Sequence, residues 1–347
     1  MSADREPLDV VIVLVNDGHA STAVGPMEVF SAAGRMWDEI SGITPRSRFR
    51  VTTASIDGKP VESAFGLRVA PDHAIADVAR TDIVFLPSSG VMPEEVMRRH
   101  ASLLPWLRAR YESGAQMAAV CSGAAFFAEA GLLDGRRGTT HWGMAELLAQ
   151  RYPQVDWRPD LLITEDERIF CGGGVNAATD LSLFLVERLC GREVAVGCAK
   201  ALILDMPRTH QSGYAILPIA RPHTDTQVRA LEEILHVNFH RDLATDELAR
   251  QVGMSRRTMI RRFKAATGCL PGAYQQMVRV AAARRLLEEG ARSVHQVAGE
   301  VGYSDVTFFR SVFKRYTGET PGAYRERYRQ HPSVAIPRSA VLIASEN

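Results

Sequence analysis

Net charge and cysteine are both scarce in this 347-residue sequence. The five cysteines (Cys121, Cys171, Cys190, Cys198 and Cys269) are odd in number and widely spaced, with no close pair at ligand distance. That excludes a disulfide framework and a zinc site, and no metal or other cofactor is expected. The apolar run near the N-terminus, Val10 to Val15, is only six residues long and follows Asp4, Arg5, Glu6 and Asp9. Such a run is neither a secretory signal nor a membrane span, so the expectation is a cytoplasmic chain with no membrane partner.

The net charge of +1 is itself a cancellation. Residues 241–330 carry 17 Lys and Arg against 9 Asp and Glu, a net of +8, while the rest carry 24 against 31. A basic segment inside a near-neutral chain is the footprint of a nucleic-acid-binding domain attached to something else.

That basic segment says nearly the same thing twice. Phe263-Lys264, Thr267-Gly268 and Pro271-Gly272-Ala273-Tyr274 recur 50 residues later as Phe313-Lys314, Thr317-Gly318 and Pro321-Gly322-Ala323-Tyr324. Upstream, Leu248-Ala249, Val252-Gly253 and Ser255 recur at an offset of 49 as Val297-Ala298, Val301-Gly302 and Ser304. A fixed period marks one structural unit used twice. Each copy reads as helix, Gly-containing turn, helix: Thr245 and Ser255 are the expected caps in the first, Ser293 and Ser304 in the second. This is the helix-turn-helix pattern, whose second helix enters a DNA major groove. On those second helices Met259 and Phe263, and Phe309 and Phe313, are spaced to pack inward. The opposite stripe is Arg257, Ile260, Arg261 and Lys264 in copy one, and Thr307, Arg310, Ser311 and Lys314 in copy two. Arg reads guanine bidentately and Ser or Thr bonds several base edges. The predicted DNA-contacting residues are therefore Arg257, Ile260, Arg261, Thr307, Arg310 and Ser311.

With the joining stretch Ala283-Arg284-Arg285-Leu286-Leu287-Glu288, these two modules resemble the DNA-binding domain of AraC/XylS-type transcriptional regulators, over residues 228–330. The resemblance implies one bent double-stranded DNA site read by two recognition helices in successive major grooves. A linker helix over Tyr274–Glu289 is expected between them.

Residues 8–205 alternate short apolar runs with helical stretches, which predicts a doubly wound α/β domain with a largely parallel sheet. Strands are expected at Val10–Val15, Arg48–Ala54, Asp82–Leu86, Gln116–Val120 and Arg168–Cys171. Helices are expected at Pro26–Arg35, Pro93–Glu112, Gly123–Ala130 and Ala177–Leu189. Pockets in such sheets lie beyond the carboxyl ends of the strands. At one such end, Ala119-Val120-Cys121-Ser122-Gly123 places a cysteine on a sharp strand-to-helix turn, where exposure and the helix N-terminus would activate the thiol. Thr139-Thr140-His141-Trp142 offers an imidazole downstream. Residues 206–227, with Pro207, Pro218 and Pro222, read as a linker, and 331–347 as a disordered tail.

The elbow, Ala130-Gly131-Leu132-Leu133-Asp134-Gly135 and Thr140-His141-Trp142 together resemble the class I glutamine-amidotransferase-like superfamily, with its PfpI-type peptidases and isocyanide hydratases. That superfamily is a flavodoxin-like fold, and the resemblance implies a Cys nucleophile at Cys121, a partner at His141 and an oxyanion donor in the Ser122 amide. Two positions depart from the pattern. Thr22 stands four residues before Pro26, where hydratases carry an acid, and Ser88-Ser89 replace the Gly-Gly of the oxyanion loop. Without a carboxylate to hold the proton, acid–base help worth roughly 10²–10⁴ in rate is lost; Glu28 is the nearest substitute. The expectation is no catalytic residue and a binding site lined by Cys121, His141, Thr22, Ser89 and Ser122. The fused arrangement resembles the GlxA-like branch of AraC-type regulators, which implies a homodimeric transcription factor sensing a small, nitrogen-containing effector and engaging RNA polymerase if it activates. The competing readings are a thiol hydrolase or hydratase acting through Cys121, with an accessory DNA-binding domain, and a redox sensor at the same thiol.

Overall fold

The computed structural model describes residues 6–90, 93–208, 211, 223–290 and 292–328. The chain separates into two compact units, Met1–Ala215 and Ile216–Asn347.

In the first unit the strands are β1 (Leu8–Val13), β2 (Phe49–Ser55), β3 (Val61–Glu62), β4 (Arg68–Val69), β5 (His73–Ala74), β6 (Ile83–Leu86), β7 (Gln116–Val120), β8 (Arg137–Gly138), β9 (Asp156–Trp157), β10 (Ile163–Asp166) and β11 (Ile169–Gly172). The helices are α1 (Ser21–Ala32), α2 (Met36–Ile40), α3 (Pro93–Arg99), α4 (Leu103–Glu112), α5 (Ala124–Glu129), α6 (Ala145–Arg151), α7 (Ala177–Cys190) and α8 (Arg192–Leu202). The central sheet runs β10-β11-β7-β6-β1-β2-β5. It is parallel throughout except where β10 pairs antiparallel with β11.

The strand sequences follow from this topology. Both faces of a parallel sheet are covered, so its central strands are apolar without alternation. Val11 and Val13 of β1, with Val84 and Met117, pack under α3, α4 and α5. Val10 and Ile12, with Ile83, Phe85 and Ala118, pack under α1, α7 and α8. The predicted doubly wound α/β fold is therefore the observed one. Two expected helices differ in extent. The stretch Pro93–Glu112 is two helices, since Pro105 has no N–H to carry the ladder through; at the break His100 is buried, its Nδ1 2.9 Å from the Val96 carbonyl and its ring edge-on to Phe126 at 6.0 Å. The first helix starts at Ser21 rather than Pro26, so Pro26 lies inside it and Thr22 in its first turn.

The second unit is helical: α9 (Thr226–Val237), α10 (Thr245–Gln251), α11 (Arg256–Thr267), α12 (Pro271–Glu288), α13 (Val294–Glu300), α14 (Val306–Thr317) and α15 (Pro321–Tyr328). Val228, Leu231 and Leu235 of α9 close one core with Leu248, Met259 and Phe263. Val297, Phe309, Phe313 and Tyr324 close the other. The repeat is thus two like cores joined by α12. Gly268 and Gly318 end α11 and α14 in the left-handed conformation (φ 82° and 84°), as a helix terminus before proline requires.

Two predicted caps are corrected. Ala244, with no side-chain acceptor, precedes α10, and Thr245 is already helical. Asp305, not Ser304, caps α14, accepting from the Thr307 and Phe308 amides. Ser255 and Asp305 are 50 apart, so the extra residue of copy two lies before the cap. The linker expected at 206–227 falls partly outside the described residues: Arg208 and Gln211 attach to the first unit, and Asp225 caps α9. The expected tail, 331–347, lies outside them entirely.

Candidate functional site

Cys121 sits where β7 ends and a single 3-10 turn, Cys121–Gly123, leads into α5. Its φ of 55° is strained for a residue with a side chain, the signature of an elbow. The tight approach is enforced by Gly123: a Cβ there would lie 2.6 Å from the Pro87 carbonyl oxygen and 2.8 Å from that of Leu86.

Hydroxyl groups surround the thiol. The Ser89 amide donates to Ser122 Oγ at 2.8 Å, and the Ser122 hydroxyl donates on to Ser88 Oγ at 3.4 Å. The Ser88 amide donates to Thr22 Oγ1 at 3.1 Å, and the Thr22 hydroxyl donates to the His19 carbonyl at 2.6 Å. Thr140 donates to the Cys121 carbonyl at 2.9 Å. Thr22, Ser88, Ser89 and Ser122 therefore form one buried chain beside Cys121.

The thiol is 7 % exposed, and burial pushes its pKa above the ordinary 9.0. Hydrogen bonds from the Ser122 backbone, the Ser88 and Ser122 side chains and the His141 backbone oppose that shift without reversing it. This corrects the expectation of an exposed, activated sulfur: the turn is an elbow, but α5 and the serines seal it. His141 is adjacent through its main chain only. Its Nδ1 accepts from the Gly143 amide at 3.1 Å, capping the short turn that follows, and its ring lies against Trp142 at 5.2 Å. Burial lowers its pKa. Among the described residues no imidazole or carboxylate hydrogen-bonds the thiol, and Glu28 is exposed on α1. Asp17, on the neighbouring loop, is paired with Arg99.

Two residues at this end of the sheet carry no signal in the sequence. His19 Nδ1 lies 3.4 Å from Ser88 Oγ, and Phe65, at the tip of the β3–β4 hairpin, covers the His19 ring edge-on at 5.5 Å. Gln211, 2 % exposed, donates to the Thr140 carbonyl at 2.7 Å and accepts from the Trp142 amide at 3.2 Å. Gly173 leaves room for it, since a Cβ there would collide with the Gln211 amide at 2.6 Å.

In the second unit the two second helices, α11 and α14, sort their charges. Arg262 turns inward, gripping Asp225 through Nε at 2.9 Å and a terminal nitrogen at 2.7 Å. Arg256 lies 3.6 Å from Asp246. Arg257, Arg261 and Lys264 are exposed and make no ion pair among the described residues, as is true of Arg310 and Lys314 on α14. The predicted stripe is thus presented to solvent, with two qualifications. Ile260 is half-buried against its own core. Ser311 spends its hydroxyl proton on the Phe308 carbonyl at 3.0 Å, which leaves it an acceptor only.

The two stripes are held by α12, whose 18 residues span about 27 Å at a rise of ~1.5 Å each. Arg279 on this helix is 7 % exposed. It donates to the Phe239 carbonyl at 2.6 Å, the Arg241 carbonyl at 3.0 Å and the Gly302 carbonyl at 3.0 Å, and stacks over Tyr303. One guanidinium therefore ties the loop after α9 to the turn of the second copy.

An elbow cysteine on a parallel sheet defines the class of the first unit. The chain belongs to the DJ-1/PfpI family, whose pattern covers residues 9–188, and it joins that domain to a helix-turn-helix domain of AraC type at residues 248–327. It is 29% identical over 294 residues to the HTH-type transcriptional regulator GbdR of Pseudomonas aeruginosa, covering 84% of this chain and 78% of that protein. It is 28% identical over 289 residues to the HTH-type transcriptional regulator GlxA of Rhizobium meliloti, covering 81% and 86%. A THiJ/PfpI family protein from Pseudomonas syringae has the same fold, with a TM-score of 0.51 at 20% identity over 61% of this chain and 80% of that one.

Proposed function

We propose that this protein is a sequence-specific, DNA-binding transcriptional regulator whose DJ-1/PfpI unit binds a small effector without turning it over. The observation that carries the reading is the duplicated helix-turn-helix, with Arg257, Arg261 and Arg310 exposed and unpaired among the described residues on the second helix of each copy. Unpaired guanidinium groups on such helices suit guanine edges and backbone phosphates.

The sensing half rests on the thiol site. Thr22 is spent on the Ser88 amide and the His19 carbonyl, so it relays no proton, and the raised Cys121 pKa leaves little thiolate at neutral pH. A hydratase or hydrolase needs both, and a peroxide sensor needs the thiolate. The cluster of buried hydroxyls at Thr22, Ser89 and Ser122, beside Cys121 and His141, favours a polar effector at this end of the sheet, for which a nitrogen-containing metabolite is the candidate. Gln211 connects the Thr140–Trp142 loop to the segment that precedes the second unit in sequence, which gives ligand binding a route to that segment. A homodimer in the cytoplasm, contacting RNA polymerase where it activates, completes the reading. Among the described residues no helix is long and apolar enough to cross a membrane.

The test is mutational. Arg257→Ala or Arg261→Ala should each cost ~1–3 kcal/mol on the specific site and relax specificity at one base position. An equal loss on specific and random DNA would remove those residues from base reading.

A further inference from the structure

The recognition face of α14 contains a residue that its counterpart does not. Phe308 lies in the first turn of α14 and is 49 % exposed, in a unit where Phe263, Phe309, Phe313, Tyr274, Tyr303 and Tyr324 are buried and Phe239, Tyr316 and Tyr328 are partly buried. The equivalent position in copy one, 50 residues earlier, is Thr258, whose hydroxyl is tied to the Ser255 cap at 2.9 Å. Half of the phenyl ring stays in water, and its ring contact within the described residues is an edge approach to Tyr303 at 5.9 Å.

The groups around it limit what this turn can read. Asp305 already accepts from the Thr307 and Phe308 amides, at 2.7 and 3.2 Å, so those two N–H groups are not free to meet a phosphate. The Ser311 hydroxyl proton is committed to the Phe308 carbonyl. What remains pointing outward is the Thr307 side chain, the Phe308 ring and the Arg310 guanidinium. The N-terminal residues of a recognition helix are those that meet base edges, and in the major groove the one apolar feature is the C5-methyl of thymine.

We propose that Phe308 is a specificity-determining residue that packs on a thymine methyl in the half-site read by α14, with Arg310 beside it. The inference rests on the regulator reading above and deepens it. The two modules then read different chemistry: the α11 half-site is chosen by cationic side chains, and the α14 half-site by a methyl group. Removing one buried methyl is worth about fourfold in affinity.

The experiment begins by selecting binding sites from random duplexes with the full chain. In the recovered α14 half-site each thymidine is then replaced singly by deoxyuridine, which deletes only the methyl. One position should weaken wild-type binding about fourfold, Phe308→Ala should bind the thymidine site about as weakly and be indifferent to the replacement, and Phe308→Leu should stay sensitive. Because the DNA-side change needs no variant, a misfolded mutant cannot mimic the result. Equal affinity for every deoxyuridine site, or full sensitivity in Phe308→Ala, would overturn the assignment while the recovered motif still stands. Failure to recover any motif would overturn the regulator reading itself.

Discussion

At the scale of single residues, the thiol site shows how local geometry and chemistry separate. Cys121 has the strained φ of an elbow, yet burial holds its sulfur as a thiol against four hydrogen-bonding groups that favour the thiolate. With the pKa raised, the thiolate fraction at neutral pH falls below that of an ordinary cysteine and recovers only at a more alkaline pH than an ordinary cysteine needs. Alkylation of Cys121 by iodoacetamide, followed by peptide mass spectrometry, should therefore be at least tenfold slower at pH 7.5 in the folded chain than in urea. A rate equal to or above that of the unfolded chain would restore the activated-thiol reading. The elbow was legible in Val120-Cys121-Ser122-Gly123, because a strand meeting small residues announces itself. The orientation of His141 was not, since its imidazole is spent on Gly143, two residues on, and the thiol receives only its amide. Gln211 was invisible, because nothing in a sequence marks a side chain that fills the space left by a glycine 38 residues earlier.

At the scale of elements, the repeat made the helical unit readable. Inward aromatic pairs and terminal glycines recur at one period, and the cores form where that spacing places them. The small strands β3, β4, β5, β8 and β9 were not readable, because two-residue pairings carry no periodicity of their own. The cap of α14 was misplaced by one residue for a related reason: Ser304 and Asp305 are both good caps, and only the Thr307 and Phe308 amides choose between them. The element that matters most is α12, through Arg279. Arg279→Met should remove ~2 kcal/mol or more of stability from the helical unit, because the Gly302 carbonyl loses its side-chain donor. It should also weaken binding to a complete site more than to an isolated half-site, since α11 and α14 would lose their fixed separation. Urea melts and paired titrations check both, and an equal loss on the two DNAs would make Arg279 a packing residue only.

At the scale of the whole molecule, the near-zero net charge resolves into a basic reader and an acidic sensor carried by one chain. The helical unit presents Arg257, Arg261, Lys264, Arg310 and Lys314 without ion-pair partners among the described residues, while the DJ-1/PfpI unit surrounds a buried thiol with hydroxyls. A chain built this way gains from two recognition helices what neither supplies alone. The most direct test is the affinity of the full chain for a site recovered from its host genome, measured beside a scrambled duplex across a salt series, with and without candidate nitrogen-containing metabolites. The account predicts a recurring motif bound at least ~10³-fold more tightly than the scrambled duplex, with an affinity that one metabolite class shifts. Binding that is salt-sensitive and blind to sequence, with no response to any metabolite, would contradict it.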